Sequence, residues 1–175
     1  MNELILVNPS LEYAHEIMAY RQEFLDCGSS MDGCGALRRC DSAEAFVESA
    51  ESDRHPETVR PGRVVATQLL CVRTSDRKVV GMIQIRHYFN DFLEKYGGHI
   101  GYSVRPSERR KGYAKAQLEL ALPICRKLGL TKVLITCDHD NIGSEKTILA
   151  NGGVYESTVY CASEDISLKR YWIDL

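Results

Sequence analysis

The 175-residue sequence lacks any long hydrophobic run and any strong excess of charge of one sign. No apolar stretch approaches the roughly 20 residues that a membrane-spanning helix requires. The first ten residues lack the basic start and the long apolar segment of a secretory signal peptide, so we expect a cytoplasmic protein without a membrane partner. The formal net charge of −2 removes the bulk electrostatic argument for a nucleic-acid partner.

Cysteines are present, but they form no paired motif. The seven cysteines are an odd-numbered set without a C-x-x-C, which favours reduced cytosolic thiols over a disulfide framework. Cys27, Cys34 and Cys40 share one glycine-rich stretch, yet their spacing matches no usual zinc pattern. We therefore expect no metal site.

The chain length and a hydrophobic fraction of 44% suit one domain, residues 1–175, with a sizeable core. Hydrophobic periodicity and turn residues predict the element order β-α-α-β-β-β-α-β-α-β-β. The predicted strands cover residues 3–7, 64–73, 78–89, 99–104, 131–137, 154–161 and 166–175. The predicted helices run to about residues 24, 52, 128 and 151, starting near residues 10, 42, 113 and 141.

Residues 98–115 combine a short strand, a basic loop and a helix start. Arg109, Arg110 and Lys111 stand directly before Gly112. A glycine at the start of a helix lets backbone N–H groups approach a phosphate closely, and the helix dipole favours an anion there. The pattern therefore predicts a site for a phosphorylated ligand, with a solvated basic turn as the alternative.

The same residues resemble a known family. The hexapeptide from Arg109 to Ala114, preceded by Val104-Arg105-Pro106, is similar to the [Arg or Gln]-x-x-Gly-x-[Gly or Ala] acetyl-CoA site of the GNAT (general N-acetyltransferase) superfamily. The resemblance covers most of the chain from about residue 64, and the sequence around the motif is most similar to a bacterial branch of predicted acetyltransferases. It implies an α/β (α+β) fold in which helices flank a mixed, mostly antiparallel central sheet that splays at the acetyl-CoA site.

The resemblance also assigns the site for acetyl-CoA as co-substrate. The backbone of residues 102–104 would line the pantetheine arm, and the amides of residues 110–115 would hold the pyrophosphate. Asn141 matches the family's asparagine that contacts the CoA arm. The assigned residues are Tyr102, Ser103, Val104, Arg109, Arg110, Lys111, Gly112, Tyr113, Ala114, Lys115 and Asn141.

The general acid is harder to assign. Many GNAT enzymes carry a tyrosine seven residues after the asparagine as the acid for the leaving thiolate, but this chain has Ile148 there. Ser144 and Tyr155 are the candidates that remain. A first-turn helix hydroxyl is the alternative for Ser144, and a core aromatic is the alternative for Tyr155.

The general base is also open. Many relatives place a glutamate near the start of the strand that enters the phosphate loop, where this chain has His99. Imidazole has a suitable unperturbed pKa, and His87 and Arg86 on the neighbouring strand could share the site. A structural histidine and a water chain are the alternatives. Residues 138–140, Asp-His-Asp, could form an acid/base or metal cluster, but a polar loop with a helix cap is favoured.

These assignments predict acetyl transfer from acetyl-CoA to a primary amine in a ternary complex. No cysteine lies in a recognisable nucleophile motif, which argues against a covalent acetyl-enzyme. The alternative is a non-catalytic module that binds or senses acyl-CoA. The acceptor stays open, from small metabolites, antibiotics and polyamines to peptide N-termini and protein lysines, and the final strands allow a homodimer.

Overall fold

The computed structural model describes residues 3–175, and its strands and helices follow the predicted order. The strands are β1 (Leu4–Val7), β2 (Ala66–Arg73), β3 (Lys78–Arg86), β4 (Ile100–Val104), β5 (Lys132–Asp138), β6 (Val154–Cys161) and β7 (Ile166–Asp174). The helices are α1 (Ala14–Asp26), α2 (Ala43–Ser52), α3 (Tyr113–Lys127) and α4 (Ile142–Ala150). Strand β3 ends three residues earlier than predicted, and a wide helical turn, Leu93–Gly97, follows it.

The strands form two antiparallel sheets, one of order β1-β2-β3-β4 and one of order β5-β7-β6. The two sheets meet at His99, just before β4. Its N–H donates to the carbonyl of Leu134 on β5 at 2.7 Å, and its Nδ1 atom accepts from the Leu134 N–H at 2.9 Å. Beyond this junction both strands line an open cleft, so the predicted splay in the sheet is present.

Helices cover both faces of the four-stranded sheet because its strands alternate their side chains between the faces. Helices α1 and α2 bury Tyr20, Phe24 and Phe46 against β2 and β3. Helix α3 buries Leu118 on the opposite face, beside Ile100 of β4. Helix α3 thus packs on one face of β4, the Tyr20 hydroxyl of α1 bonds to the Ser103 hydroxyl at 2.9 Å, and the free edge of β4 borders the cleft.

The sequence also leads us to expect no metal site and no membrane-spanning helix. Within residues 3–175, no group of three or more His, Cys, Asp or Glu side chains is placed to hold a metal ion. All seven cysteines are free thiols, and six of them are buried. None of the helices in this part of the chain combines the length and the apolar character that crossing a membrane requires.

Candidate functional site

A cleft of about 700 Å³ lies between β4 and β5. It extends from the loop before α3 to the glycine-rich loop after α1, and the start of α4 forms a third wall. Its volume lies within the range usual for small-molecule sites. The cleft therefore gathers in one place the segments that the sequence singled out.

The loop before α3 is built to meet an anion with its backbone. Gly112 has a φ of +82°, a left-handed conformation that favours glycine, and no atom lies within 4 Å of the position a Cβ would occupy. In residues 3–175, the backbone N–H groups of residues 110–115 have no hydrogen-bond acceptor. Six free donors at the positive end of α3 fit a pyrophosphate group.

The three predicted cations of this loop have different surroundings. Lys111 turns away from the cleft and donates to the buried carboxylate of Glu108 at 2.8 Å. Arg109 donates to the Ser29 hydroxyl at 2.8 Å and to the Val104 carbonyl at 3.2 Å. Arg110 lines the cleft, and its guanidinium has no partner in the described part of the chain. Arg110 is therefore the cation of this trio that is available to a ligand.

Glu108 anchors the loop from below. Burial alone would raise the pKa of its carboxyl, but hydrogen bonds from Lys111, Lys78 and Arg73 lower it to about 2. The three cations approach the two carboxylate oxygens at 2.8–2.9 Å. The conformation of the loop is thus fixed by charge pairing beneath it, while its amides stay free on the side of the cleft.

The free edge of β4 offers alternate backbone groups to the cleft. The backbone N–H of Arg105 donates to the Val80 carbonyl at 2.9 Å, and the backbone N–H of Arg86 donates to the His99 carbonyl at 2.7 Å. Odd-numbered residues therefore bond to β3, and the backbone groups of Tyr102 and Val104 face the cleft. An extended ligand can bond there in the manner of an added strand. The backbone groups of Ser103 bond to β3 instead, so they are not available to a ligand.

Tyr102, Ser144 and Asn141 meet on one wall of the cleft. The Tyr102 and Ser144 hydroxyls lie 2.8 Å apart, and the Asn141 side chain caps α4 by accepting from the Ser144 N–H at 3.0 Å. Burial raises the pKa of Tyr102 to about 12, although the hydrogen bond with Ser144 opposes the shift. The pairing of Tyr102 with Ser144 was not predicted, because the two residues are 42 positions apart.

His99 and Tyr155 do not line the cleft. The Nδ1 lone pair of His99 is engaged by the Leu134 N–H, and burial together with the nearby charge of Arg86 lowers the His99 pKa to about 4. Tyr155 is half exposed on β6 and bonds to Thr158 at 2.8 Å. Their catalytic roles stay predictions, and the geometry gives both residues structural contacts instead.

Two further positions clarify the acid and base assignments. Ile148, at the position of the family's usual tyrosine, is completely buried in the core between α3 and β5. His87 is bonded through Nε2 to the Thr67 hydroxyl at 2.8 Å, and burial lowers its pKa. Neither residue lines the cleft, so proton transfer there must use other groups.

Carboxylates line the cleft at Asp32, Asp138 and Glu164. Partial burial raises the pKa of Asp138, and the negative charges of Asp32 and Asp140 add to the effect. Sequence reasoning treated Asp138 chiefly as part of a helix cap, and it missed Asp32 and Glu164. The one sequence signal for Asp32 was its place in a long glycine-rich loop, a type of segment that often carries function.

The glycine-rich loop after α1 reaches the cleft by crossing β4, with its backbone in direct contact with the backbone of that strand. Gly33 has a φ of +68°, and a Cβ there would lie 2.1 Å from the Gly101 carbonyl oxygen. Gln68 fastens the crossing by donating to the Gly33 carbonyl at 2.8 Å. Two glycines in contact thus place Asp32 beside the start of β4.

In a comparison with known protein families, the profile described as the Acetyltransferase (GNAT) family matches residues 36–150, more than half of the chain. A search of curated proteins found no match. Among solved structures, the fold is similar to that of the Microcin C7 self immunity acetyltransferase MccE in complex with acetyl-CoA and AMP, with a TM-score of 0.71 and 17% identity over 100% of this chain and 94% of that chain.

Two further solved structures share the fold. An acetyltransferase (GNAT family) from Bacillus anthracis has a TM-score of 0.63 and 18% identity over 99% of this chain and 96% of that one. Mycobacterium smegmatis RimJ in complex with CoA-disulfide has a TM-score of 0.69 and 17% identity over 98% of this chain and 81% of that one. The predicted fold class is confirmed by these neighbours and by the family match.

Proposed function

The chain belongs to the GNAT acetyltransferase family, and from this premise we propose that it transfers the acetyl group of acetyl-CoA to a primary amine, directly, in a ternary complex. The observation that carries the proposal is that the six backbone N–H groups of residues 110–115 have no acceptor within residues 3–175, in a segment of which residues 110 and 112–115 line the 700 Å³ cleft. A thioester supplies the activated acetyl group, and the chain's own residues hold it and move protons.

Binding uses the backbone more than side chains. The amides of residues 110–115 hold the pyrophosphate, and the cationic side chains of Arg110 and Lys115 line the same end of the cleft. The backbone edge at Tyr102 and Val104 bonds the pantetheine arm, and Asn141 borders it from the start of α4. Lys111 contributes its amide only, because its ammonium is bound to Glu108.

The chemistry forms one C–N bond and breaks one C–S bond. The amine loses a proton, and the leaving thiolate gains one. We assign the proton donor to the Tyr102 hydroxyl, which the Ser144 hydroxyl orients at 2.8 Å. We assign the proton acceptor to the Asp138 carboxylate, because its raised pKa makes it a stronger base than an ordinary aspartate. Most of the rate comes from holding two substrates side by side in the cleft.

A free-thiol release assay with acetyl-CoA and a panel of primary amines tests the proposal, alongside calorimetric titration of CoA. We expect 1:1 binding of CoA and thiol release that depends on the amine. CoA binding without turnover across the panel would support the sensing alternative, which the lack of a tyrosine at Ile148 left open. Failure of CoA to bind would reject both functions.

Two accompanying expectations remain part of the proposal. A homodimer is proposed because β6 is an edge strand with exposed apolar side chains at Val154, Tyr155 and Tyr160, and light scattering of the purified protein tests it. A cytoplasmic location is proposed from the pattern of unpaired cysteines in the sequence, and fractionation of cells that express the protein tests that.

A further inference from the structure

Arg86, the last residue of β3, is a partly buried cation that lines the cleft. Its Nη1 atom donates to the carbonyls of Gly97 and Gly98 at 3.1 and 3.5 Å. Its Nη2 atom lies 3.1 Å from the position a Cβ would take at Gly101. The missing side chain at Gly101 thus allows the guanidinium to lie across β4 and reach the cleft.

The guanidinium of Arg86 has no carboxylate partner within the described residues, in contrast to the guanidinium groups of Arg73 and Arg105. Arg105 is paired with Glu16 and Glu23 at 2.8 and 2.7 Å. Arg73 is likewise paired with Asp76 and Glu108. A charge removed from water without a counterion is costly, so the pairing of the others makes the unpaired Arg86 conspicuous. Burial, with a smaller contribution from Arg63, lowers the pKa of Arg86 to about 10, although the negative charge of Asp32 opposes the shift.

Arg86 lies at the opposite end of β4 from the phosphate loop. Its N–H bonds to the carbonyl of His99, which precedes the strand, whereas the loop follows Val104. Five residues of extended chain separate these points by about 17 Å. A phosphate held by residues 110–115 therefore does not neutralise Arg86, which leaves its guanidinium available to an anionic group of the other substrate.

Other charged groups near Arg86 indicate which charges the second substrate carries. A smaller cavity of about 340 Å³ adjoins the cleft, shares Arg86 with it, and places a second cation, Arg63, on its wall. Asp53 in that cavity is already bonded to Arg60 at 2.6 and 3.1 Å. The cavity is therefore net positive. On the other side of Arg86, the exposed carboxylate of Asp32 lines the cleft.

We propose that the acceptor is an amino acid, whose carboxylate is bound by Arg86 and whose amino group is held by Asp32. Bidentate hydrogen bonding makes a guanidinium well suited to a carboxylate, and a carboxylate near the amine favours its binding as an ammonium ion. Phe92 and Tyr96, whose ring centroids are 5.5 Å apart, line the cleft and can contact an apolar side chain of the amino acid. This inference rests on the proposed function.

The test compares amines that differ in the carboxylate alone. The probes are the 20 amino acids with their carboxamides, and L-phenylalanine with phenethylamine, in the thiol-release assay. We expect kcat/KM for the best amino acid to exceed that of its amide at least tenfold. Arg86→Gln should reduce this ratio to near one, chiefly through KM, and Arg86→Lys should keep part of it. Equal rates for acids and amides would overturn the inference while leaving the proposed function intact.

Arg21 provides a matched control because its guanidinium also donates to two backbone carbonyls, those of Leu37 and Arg38, without lining the cleft. Arg21→Gln should keep the preference for the acid. If no amine is acetylated, the proposed function fails, and calorimetry of each of the 20 amino acids with the CoA-bound protein then decides the inference. Binding that Arg86→Gln abolishes would support it, and absence of binding to the unmodified protein for all 20 amino acids would overturn it.

Discussion

The two ends of strand β4 bind by different physical means. At its C-terminal end, the free N–H groups of residues 110–115 and the positive φ of Gly112 form a site made from backbone. At its N-terminal end, Arg86 and Asp32 arrive from separate segments and act through their side chains. A backbone site depends on one short stretch of sequence, whereas a side-chain site depends on the whole fold.

The largest effect is expected at the backbone end. Gly112→Val should weaken CoA binding at least about 100-fold, because a Cβ at this φ strains the loop and occupies the approach to the phosphates. Gly129→Val is the matched control, since Gly129 has a φ of +86° and equally open surroundings but lies after the other end of α3. Calorimetry should show loss of CoA affinity in the first variant only, and equal affinities would contradict the account.

The next effect concerns His99, where the two sheets meet at the other end of β4. Its pKa of about 4 lies below the ordinary 6.5, so the unfolded chain binds more protons between these values. The contribution is complete above pH 6.5 and is lost as the pH falls towards 4. We expect unfolding free energy to fall by roughly 2 kcal/mol between pH 7 and pH 5.

Urea unfolding at several pH values measures this slope, and His99→Gln is the control. A glutamine can accept the Leu134 N–H without titrating, so the variant should show a smaller loss on acidification. The remaining slope comes from His87, whose pKa is also lowered. A variant with an unchanged slope would show that the imidazole of His99 is not held neutral in the folded protein.

Turnover should respond next to the hydroxyl pair in the middle of the cleft. Tyr102→Phe should lower kcat about 100-fold, the lower end of the usual size of general-acid effects, and Ser144→Ala should lower it less. Steady-state kinetics with saturating acetyl-CoA measures both. Tyr155→Phe should keep its turnover, because that hydroxyl bonds to Thr158 away from the cleft. Loss of turnover in this third variant would move the acid assignment to Tyr155.

The smallest effect is expected for Asp138. Because its pKa is raised, the carboxylate form is gained at higher pH than for an ordinary aspartate, and kcat/KM should rise with pH through that pKa. Asp138→Asn should remove this acidic limb and lower kcat/KM by up to about 100-fold, the lower end of general-base effects. A pH profile of kcat/KM for both proteins measures the difference. Retention of the limb in the variant would contradict the assignment of Asp138 as the proton acceptor.

The sequence predicted well what depends on neighbouring residues. The order of strands and helices, the cap at Asn141 and the loop at Gly112 are local, because hydrophobic period, turn chemistry and helix-start chemistry act over a few positions. These features rest on chain proximity, and the fold preserves them unchanged.

Features that depend on distant residues could not be predicted in the same way. The Tyr102–Ser144 pair joins β4 to α4, and Asp32 reaches the cleft only because two glycines allow a loop to cross β4. The orientation of His99 depends on strand register, which a shift of one residue would reverse. Arg86 was named as a partner of the base, but its lack of a counterion is visible only when its neighbours are in place.

The difference between the two ends of β4 is tested most directly by a crystal structure of the protein with acetyl-CoA. The account predicts the pyrophosphate within about 3 Å of the N–H groups of residues 110–115, the pantetheine arm along Tyr102 and Val104, and the Arg86 guanidinium left without a phosphate. Density that places a phosphate on Arg86, or the pyrophosphate away from Gly112, would contradict the assignment of the two ends.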